Sequence, residues 1–162
     1  MPVAQLREAL ERAGFEFVMT YINSGNAVLR SALPREEVIA KVAAVCRKHF
    51  GFEKAIFALT AKEWSAVIKR NPFPDATDPP KWLHAALLAA RPPAGAVEAL
   101  QKFAVNGDRV AVVGKVAYLH TPNGFGTSKL AEKFDKGIGV ANTARNWNTV
   151  LNLMKLAESV IR

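Results

Sequence analysis

A glycine-containing segment, residues 124–129 (Gly-Phe-Gly-Thr-Ser-Lys), places two hydroxyls and an ammonium where a helix is predicted to begin. Backbone N–H groups and the helix dipole attract anions at such a position, so Thr127, Ser128 and Lys129 are candidate ligands of an anion. The spacing is not that of a Walker A loop. A structural interpretation competes, in which Thr127 or Ser128 caps the helix and Lys129 is solvated.

A second polar segment, residues 145–149 (Arg-Asn-Trp-Asn-Thr), lies at a predicted strand-to-helix junction. Arg145 can clamp a phosphate or carboxylate through two parallel hydrogen bonds, and Asn148 offers an amide beside it. In the structural interpretation, Asn146 or Asn148 caps the helix and Arg145 pairs with an acid. Trp147 could stack on a base, but we expect it in the core. For Arg145 the sequence favours neither interpretation.

A third candidate is the turn of a predicted hairpin, residues 23–26 (Asn-Ser-Gly-Asn). Asn23, Ser24 and Asn26 could present one hydroxyl and two amides to a ligand. A tight turn explains the same residues without any ligand, because Gly and Asn tolerate positive φ.

Aromatic and imidazole rings alternate along two predicted strands, Trp82 with His84 and Tyr118 with His120. Aromatic side chains on a sheet face bind single-stranded RNA in the RNA-recognition fold. The RNP1 pattern of that fold is absent from this chain. The simpler alternative is that two packed layers bury these rings.

Enzyme signatures are few in this sequence. No Gly-x-Ser-x-Gly segment accompanies the three histidines, and no Cys/His cluster has the spacing of a zinc site. No motif indicates a cofactor or a metal. If the chain is an enzyme, His120 is the residue that we consider as its acid or base.

The composition favours anionic partners. The chain carries 22 Lys and Arg against 14 Asp and Glu, a net charge of +8, which attracts phosphate groups or RNA. These basic residues are spread along the chain rather than gathered in a run. The longest apolar run, residues 83–90, is too short to span a bilayer, and no signal peptide opens the chain. With the single cysteine, Cys46, this indicates a bacterial cytoplasmic protein without a membrane partner, and it leaves the oligomeric state open.

The first half is predicted to contain a helix, two strands joined by the hairpin turn, a helix, a third strand and a short helix. Periodicity and turn residues give the bounds 2–13, 17–22, 27–31, 34–49, 54–59 and 61–69. Residues 71–80 contain four prolines, which disfavour regular structure and indicate the boundary between halves.

The second half repeats this order with one strand more. Its strands and helices are predicted at 81–90, 93–103, 109–113, 115–120, 127–134, 138–145 and 146–161. The order βαββαβ predicts a ferredoxin-like unit, or alpha-beta plait, with an antiparallel sheet covered by helices on one face. We therefore expect an α+β fold with two such units in tandem, at residues 1–75 and 80–162.

The first half lacks the opening strand of this pattern. In a ferredoxin-like unit, that strand lies in the middle of the sheet, between the third and fourth strands. Its loss would leave backbone groups unpaired. We therefore expect either that residues are missing at the N-terminus or that another segment fills the gap.

Five segments of the chain form a combination specific enough to suggest a family: residues 21–26 (Tyr-Ile-Asn-Ser-Gly-Asn), 71–73 (Asn-Pro-Phe), 118–120 (Tyr-Leu-His), 126–130 (Gly-Thr-Ser-Lys-Leu) and 143–150 (Thr-Ala-Arg-Asn-Trp-Asn-Thr-Val). With them the chain resembles the bacterial domain-of-unknown-function family DUF1697 over nearly its whole length. The resemblance implies two ferredoxin-like units and no particular activity.

Members of that family usually open with a strand and a turn of the form Leu-Arg-Gly-Ile-Asn-Val-Gly-Gly before their first helix. In this chain, Met1 falls where that helix begins. The resemblance therefore implies that the strand, the turn and any ligand contacts of the turn are absent here.

The leading functional hypothesis is a binding module for an anionic small molecule, a nucleotide or an RNA segment, at the junction of the two halves. Its contacts would come from the three polar segments: Asn23, Ser24, Asn26, Thr127, Ser128, Lys129, Arg145 and Asn148. One alternative is a cytosolic enzyme of unknown reaction. Another is an assembly protein that pairs through an exposed sheet edge.

Overall fold

A computed structural model describes residues 3–21, 25–51 and 54–161 of the chain. Within these ranges, two 3₁₀ turns, Pro74–Ala76 and Pro80–Trp82, accompany the following helices and strands: α1 (Val3–Arg12), β1 (Glu16–Tyr21), β2 (Asn26–Arg30), α2 (Arg35–Phe50), α3 (Ala61–Lys69), β3 (Leu83–Leu88), α4 (Ala96–Gln101), β4 (Arg109–Val113), β5 (Val116–His120), α5 (Lys129–Gly137), β6 (Asn142–Asn146) and α6 (Trp147–Ile161). The predicted α+β class with antiparallel sheets is confirmed.

The chain divides into two compact units. Unit 1 contains residues 1–64 and 152–162, and unit 2 contains residues 65–151. The sequence predicts units with other bounds, residues 1–75 and 80–162, and places α6 in the second unit. The end of α6 belongs to unit 1 because its side chains bond there: Asn152 Nδ2 donates to Tyr21 Oη over 3.0 Å.

Unit 2 is built on a four-stranded sheet in the order β4-β5-β3-β6, with antiparallel neighbours. Strand β3 lies between β5 and β6, and five of its six residues are buried. A strand with neighbours on both edges and layers on both faces must be apolar nearly throughout, which explains its sequence Leu-His-Ala-Ala-Leu-Leu.

Helices α4 and α5 cover one face of this sheet. Side chains alternate between the faces along a strand, and directly opposed residues share a face. The covered face therefore carries Ala86 and Leu88 of β3 with Ala117 and Leu119 of β5. They pack into one core with the helical side chains Leu100, Leu130, Phe134 and Ile138.

The opposite face carries Leu83 and Ala85 of β3 with Tyr118 of β5. Tyr118 is 1% exposed, and its hydroxyl donates to the backbone carbonyl of Val67 in α3 over 2.6 Å. The hydroxyl is therefore satisfied within the interior, and burial raises the pKa of Tyr118 to about 12.

In unit 1, β1 and β2 form an antiparallel hairpin whose register shifts between Glu16 and Met19. Phe17, inside this irregularity, has a φ of 51°. Helices α1 and α2 supply apolar stripes to a small core: Leu6, Ala9, Leu10, Phe15, Val18 and Val45. Cys46 of α2 is buried, and desolvation raises the pKa of its thiol.

The predicted strand at residues 54–59 is wrong: these residues have no regular structure. In unit 2, the strand at the same place in the element order, β6, joins the sheet only through β3. The described part of unit 1 contains no counterpart of β3, since its sheet consists of β1 and β2. A segment of suitable sequence stays irregular when no neighbouring strand accepts its hydrogen bonds.

Three other predictions change in detail. Strand β3 begins at residue 83 instead of 81, because a 3₁₀ turn extends through Trp82. The prolines that were expected to prevent regular structure instead begin both 3₁₀ turns, where a missing N–H costs nothing. Strand β6 begins at residue 142 instead of 138, because the Ile138 N–H still bonds to the Phe134 carbonyl at the end of α5.

The packing of α5 against α4 predicts a strong effect of one methyl group. A Cβ at Gly137 would lie 2.7 Å from Leu100 Cδ2, and Leu100 is 1% exposed and cannot move aside. We expect Gly137→Ala to lower the free energy of unfolding by about 1–3 kcal/mol in urea titrations. Gly126→Ala is the control, since its Cβ would meet no atom within 4 Å. Equal stabilities of the two variants would contradict this packing.

Candidate functional site

Ser128 caps helix α5. Its Oγ accepts a hydrogen bond from the Ala131 N–H over 3.1 Å and donates to Asp108 Oδ2 over 2.7 Å. Both Ser128 and Asp108 are buried. Of the two interpretations of this segment, the structure gives Ser128 the capping role.

The two neighbouring candidates are exposed. Thr127 Oγ1 donates to the Asn123 carbonyl over 3.1 Å. Lys129 Nζ lies 3.8 Å from Glu132 Oε2, in a pair whose side chains are both more than half exposed. Such a surface pair contributes little to stability.

The loop before α5 contacts β3 through stacked rings. The ring of Phe125 lies on that of His84, with centroids 4.0 Å apart and planes 25° apart. Among the described residues, no group hydrogen-bonds to the buried Nδ1 of His84. Burial lowers the pKa of His84 to about 4, so the ring is neutral at physiological pH.

Arg145 is half-buried on β6, opposite Ala85 of β3. Its Nη1 donates to Thr143 Oγ1 over 2.7 Å and to the Ala144 carbonyl over 2.8 Å. These bonds fix the guanidinium close to its own strand. Burial lowers the pKa of Arg145, because a partly desolvated site disfavours the charged form.

The residues after Arg145 divide between cap, core and surface. Asn146 Oδ1 accepts from the Thr149 N–H over 2.9 Å and so caps α6. Trp147 is 2% exposed and packs at a tilt against Tyr118, with centroids 6.4 Å apart, as expected of a core residue. Asn148 is exposed in the first turn of α6.

The sheet separates two of the predicted contact groups. Arg145 lies opposite Ala85, on the face that carries Tyr118, while α5 packs on the face that carries Ala86. The structure therefore does not bring Ser128 and Arg145 to one face. The alternation of side chains along β6 is the physical reason.

The hairpin turn falls mostly outside the described residues, which include neither Asn23 nor Ser24. Asn26 is buried, and its Nδ2 donates to the Tyr21 carbonyl over 3.2 Å. Asn26 is also paired with Tyr21 in the register of the hairpin. Its side chain therefore helps to close the hairpin.

The stacking surface for RNA that the sequence suggested is not formed. His84 lies opposite Leu119, so His84 and Tyr118 point to opposite faces of the sheet. Trp82 lies in the 3₁₀ turn before β3 and not in the strand. Rings on two neighbouring strands share a face only when the register places them opposite each other. Here Tyr118 lies opposite Ala85, one residue beyond His84.

A cluster of charged and aromatic side chains lies on the face that carries Tyr118. The Arg109 guanidinium lies over the ring of Phe73, 4.4 Å from its centroid. It donates to Asp75 through Nη2 over 2.9 Å and through Nη1 over 3.4 Å. Its Nη2 is also 3.1 Å from His120 Nδ1.

Sequence patterns single out His120 but not Arg109. The one available signal was that the segments 71–73 and 118–120, both singled out for the family resemblance, border this cluster. The enzyme hypothesis required a carboxylate or a nucleophile beside His120, and the structure places a guanidinium there. Desolvation and Arg109 lower the pKa of His120.

Within residues 3–21, 25–51 and 54–161, no three His, Cys, Asp or Glu side chains gather closely enough to hold a metal ion. In the same part of the chain, no helix has the length and apolarity needed to cross a membrane.

A family model described as "Protein of unknown function (DUF1697)" matches residues 1–118. The chain belongs to the DUF1697 family. The match ends at Tyr118, so the segments 126–130 and 143–150 lie beyond it. Curated proteins include no match to this DUF1697 protein.

Among solved structures, this DUF1697 protein is similar to the conserved bacterial protein SP0830 from Streptococcus pneumoniae. The TM-score is 0.75 at 17% sequence identity, and the alignment covers 100% of this chain and 90% of that chain. At this identity the likeness shows a shared fold and nothing about activity.

The half-buried His84 predicts a pH dependence of stability for this DUF1697 protein. The folded pKa of about 4 lies below the ordinary 6.5, so the unfolded chain takes up the proton first as pH falls. The contribution of His84 to the free energy of unfolding is fully present above pH 6.5 and is lost progressively down to about pH 4. His84→Phe keeps a stacked ring but cannot be protonated. We expect its stability advantage over wild type to grow by about 1–2 kcal/mol between pH 7 and 4.5, allowing for partial exposure of His84.

Chemical denaturation at several pH values measures this difference. Other titrating groups are common to both proteins and cancel in the comparison. A constant difference between the two proteins across this range would contradict the burial of a neutral His84.

Proposed function

We propose that this protein binds an anionic small molecule, such as a nucleotide, where β6 ends and α6 begins. The observation that supports the proposal is the half-buried guanidinium of Arg145, which its bonds to Thr143 and Ala144 fix on the sheet. An anion beside it would stabilise the charged form that burial disfavours. In a partly desolvated site this attraction is stronger than in water.

Helix α6 adds to the same attraction. It is 15 residues long and begins at Trp147, two positions after Arg145. The positive end of its dipole therefore lies near the guanidinium. Asn148 is exposed in the first turn and offers an amide to the same ligand. We assign the ligand contacts to Arg145 and Asn148, while Asn146 Oδ1 caps α6 by accepting from the Thr149 N–H.

We propose that the ligand is a small molecule and not an RNA segment. A phosphate of a nucleotide supplies the dianion that an arginine fork recognises. An extended RNA segment needs a row of exposed rings on one face, and the register of unit 2 sets His84 and Tyr118 on opposite faces. The net charge of +8 attracts either ligand and does not distinguish them.

We also propose that both units are ferredoxin-like plaits of a bacterial cytoplasmic protein. In support, unit 2 has the element order β3-α4-β4-β5-α5-β6, and unit 1 has the order α1-β1-β2-α2, which matches the middle of it. The similarity to a bacterial protein of the same fold supports the bacterial origin that we propose.

Isothermal titration with ATP and with a short single-stranded RNA tests the function. We expect ATP to bind, Arg145→Ala to weaken its binding at least about tenfold, and Arg145→Lys to retain part of it. Arg12→Ala is the matched control, since it removes the same charge from an exposed site at the end of α1. Circular dichroism verifies that each variant is folded.

Two results would contradict the proposal. One is an unchanged ATP affinity in a folded Arg145→Ala variant. The other is a wild-type protein that binds no nucleotide at millimolar concentration. Tighter binding of RNA than of ATP would overturn the choice of a small molecule.

A further inference from the structure

We propose that Arg109, which Phe73 and His120 hold in place, forms a second anion site in unit 2, for a phosphate or phosphomonoester dianion, and that the Asp75 carboxylate occupies this site in the absence of ligand. The site shares no residue with the one around Arg145. Its ligand is defined by the guanidinium fork of Arg109 and by the acid that already bonds to this fork.

The Phe73 ring supports the guanidinium of Arg109. The guanidinium lies over this ring, and Phe73 is 9% exposed. Asn71 holds the backbone of Phe73 at both polar groups: Oδ1 accepts from the N–H over 2.9 Å, and Nδ2 donates to the carbonyl over 3.2 Å. The ring contact and the bond to His120 together restrict the guanidinium, which prepares it for two parallel bonds to one anion.

His120 supplies a second support for Arg109. It is paired with Arg109 in the register of β4 and β5, so the two side chains lie on the same face. A guanidinium can only donate, so the contact of Arg109 Nη2 with His120 Nδ1 makes Nδ1 the acceptor. A neutral imidazole that accepts at Nδ1 carries its proton on Nε2. Because Nδ1 faces Arg109, the Nε2–H is directed away from the guanidinium, and His120 acts as a positioning residue for Arg109.

Asp75 already makes the contact that the proposal assigns to a ligand. Its two carboxylate oxygens face two guanidinium nitrogens of Arg109, at 2.9 and 3.4 Å. This fork geometry is the one in which arginine recognises carboxylates and phosphates. Arg109 holds the pKa of Asp75 below its usual range, so the carboxylate is charged at neutral pH.

The Asp75 contact is of a kind that a ligand can replace. The Asp75 side chain is 69% exposed and lies in a 3₁₀ turn outside the sheet. An exposed ion pair holds weakly, because water competes for both charges. A phosphate dianion carries twice the charge of the carboxylate and can accept from the same two guanidinium nitrogens. Asp75 therefore acts as an internal competitor that sets the affinity of the site.

Titration of the protein with inorganic phosphate, followed by ¹H–¹⁵N spectra, tests the proposal. We expect Asp75→Asn to bind phosphate about three- to tenfold more tightly than wild type, because the competing charge is gone. Asp78→Asn is the matched control: Asp78 is exposed in the same loop, and the change in net charge is equal. The control should bind as wild type does.

Variants of Arg109 and of its positioning residue complete the test. We expect Arg109→Lys to lose about tenfold in affinity, since an ammonium cannot form the fork. His120→Ala should lose severalfold, and His120→Gln, whose amide oxygen can accept from Arg109, should restore part of the affinity. Phenyl phosphate in place of phosphate shows whether the site takes a monoester or only the free ion. Acetate, a single charge, should compete poorly.

Equal phosphate affinities of Asp75→Asn and Asp78→Asn would overturn the proposal, and so would the absence of phosphate binding to Asp75→Asn at millimolar concentration. Asp75 and Asp78 are both exposed, so neither substitution should prevent folding. The comparison of these two variants therefore tests the proposal even if Arg109→Lys does not fold. Arg145→Ala should bind phosphate here as wild type does, so failure of the nucleotide site and failure of this site are distinguishable.

Discussion

The pairing of β3 with β5 on one edge and β6 on the other is the constraint on which unit 2 depends. Strand β6 has no other neighbour in the sheet, so its conformation and register come from β3. The apolar residues of β3 supply the contact layer on both faces, against the helices α4 and α5 on one and around Tyr118 on the other. The same pairing places Arg145 opposite Ala85 and thereby fixes the proposed nucleotide site.

The alternation of side chains then assigns each candidate residue to a face. Arg109, His120 and Arg145 share the face of Tyr118, while His84 and the helix that Ser128 caps lie on the other. The two proposed anion sites are thus on one face, the nucleotide site at β6 and the site around Arg109 at β4 and β5. Ser128 takes part in neither, because its hydroxyl bonds to Asp108 and to the Ala131 N–H.

Local sequence predicted those features that local physics controls. The helix start near Ser128, the burial of Trp147 and the hairpin of β4 and β5 follow from caps, ring size and turn glycine. Features that depend on distant partners could not be predicted. Arg109 and Asp75 are 34 positions apart, and no pattern joins them. Residues 54–59 have the composition of a strand, yet strand formation depends on a neighbour that a single sequence does not reveal.

Native-state hydrogen exchange, resolved by residue, tests the central role of β3 most directly. If β3 holds the sheet, its central amides exchange only when unit 2 unfolds, and they are the slowest of the sheet. Residues 54–59, which form no strand, should then exchange at least roughly a hundredfold faster. Exchange of β3 amides at rates similar to those of residues 54–59 would contradict the account.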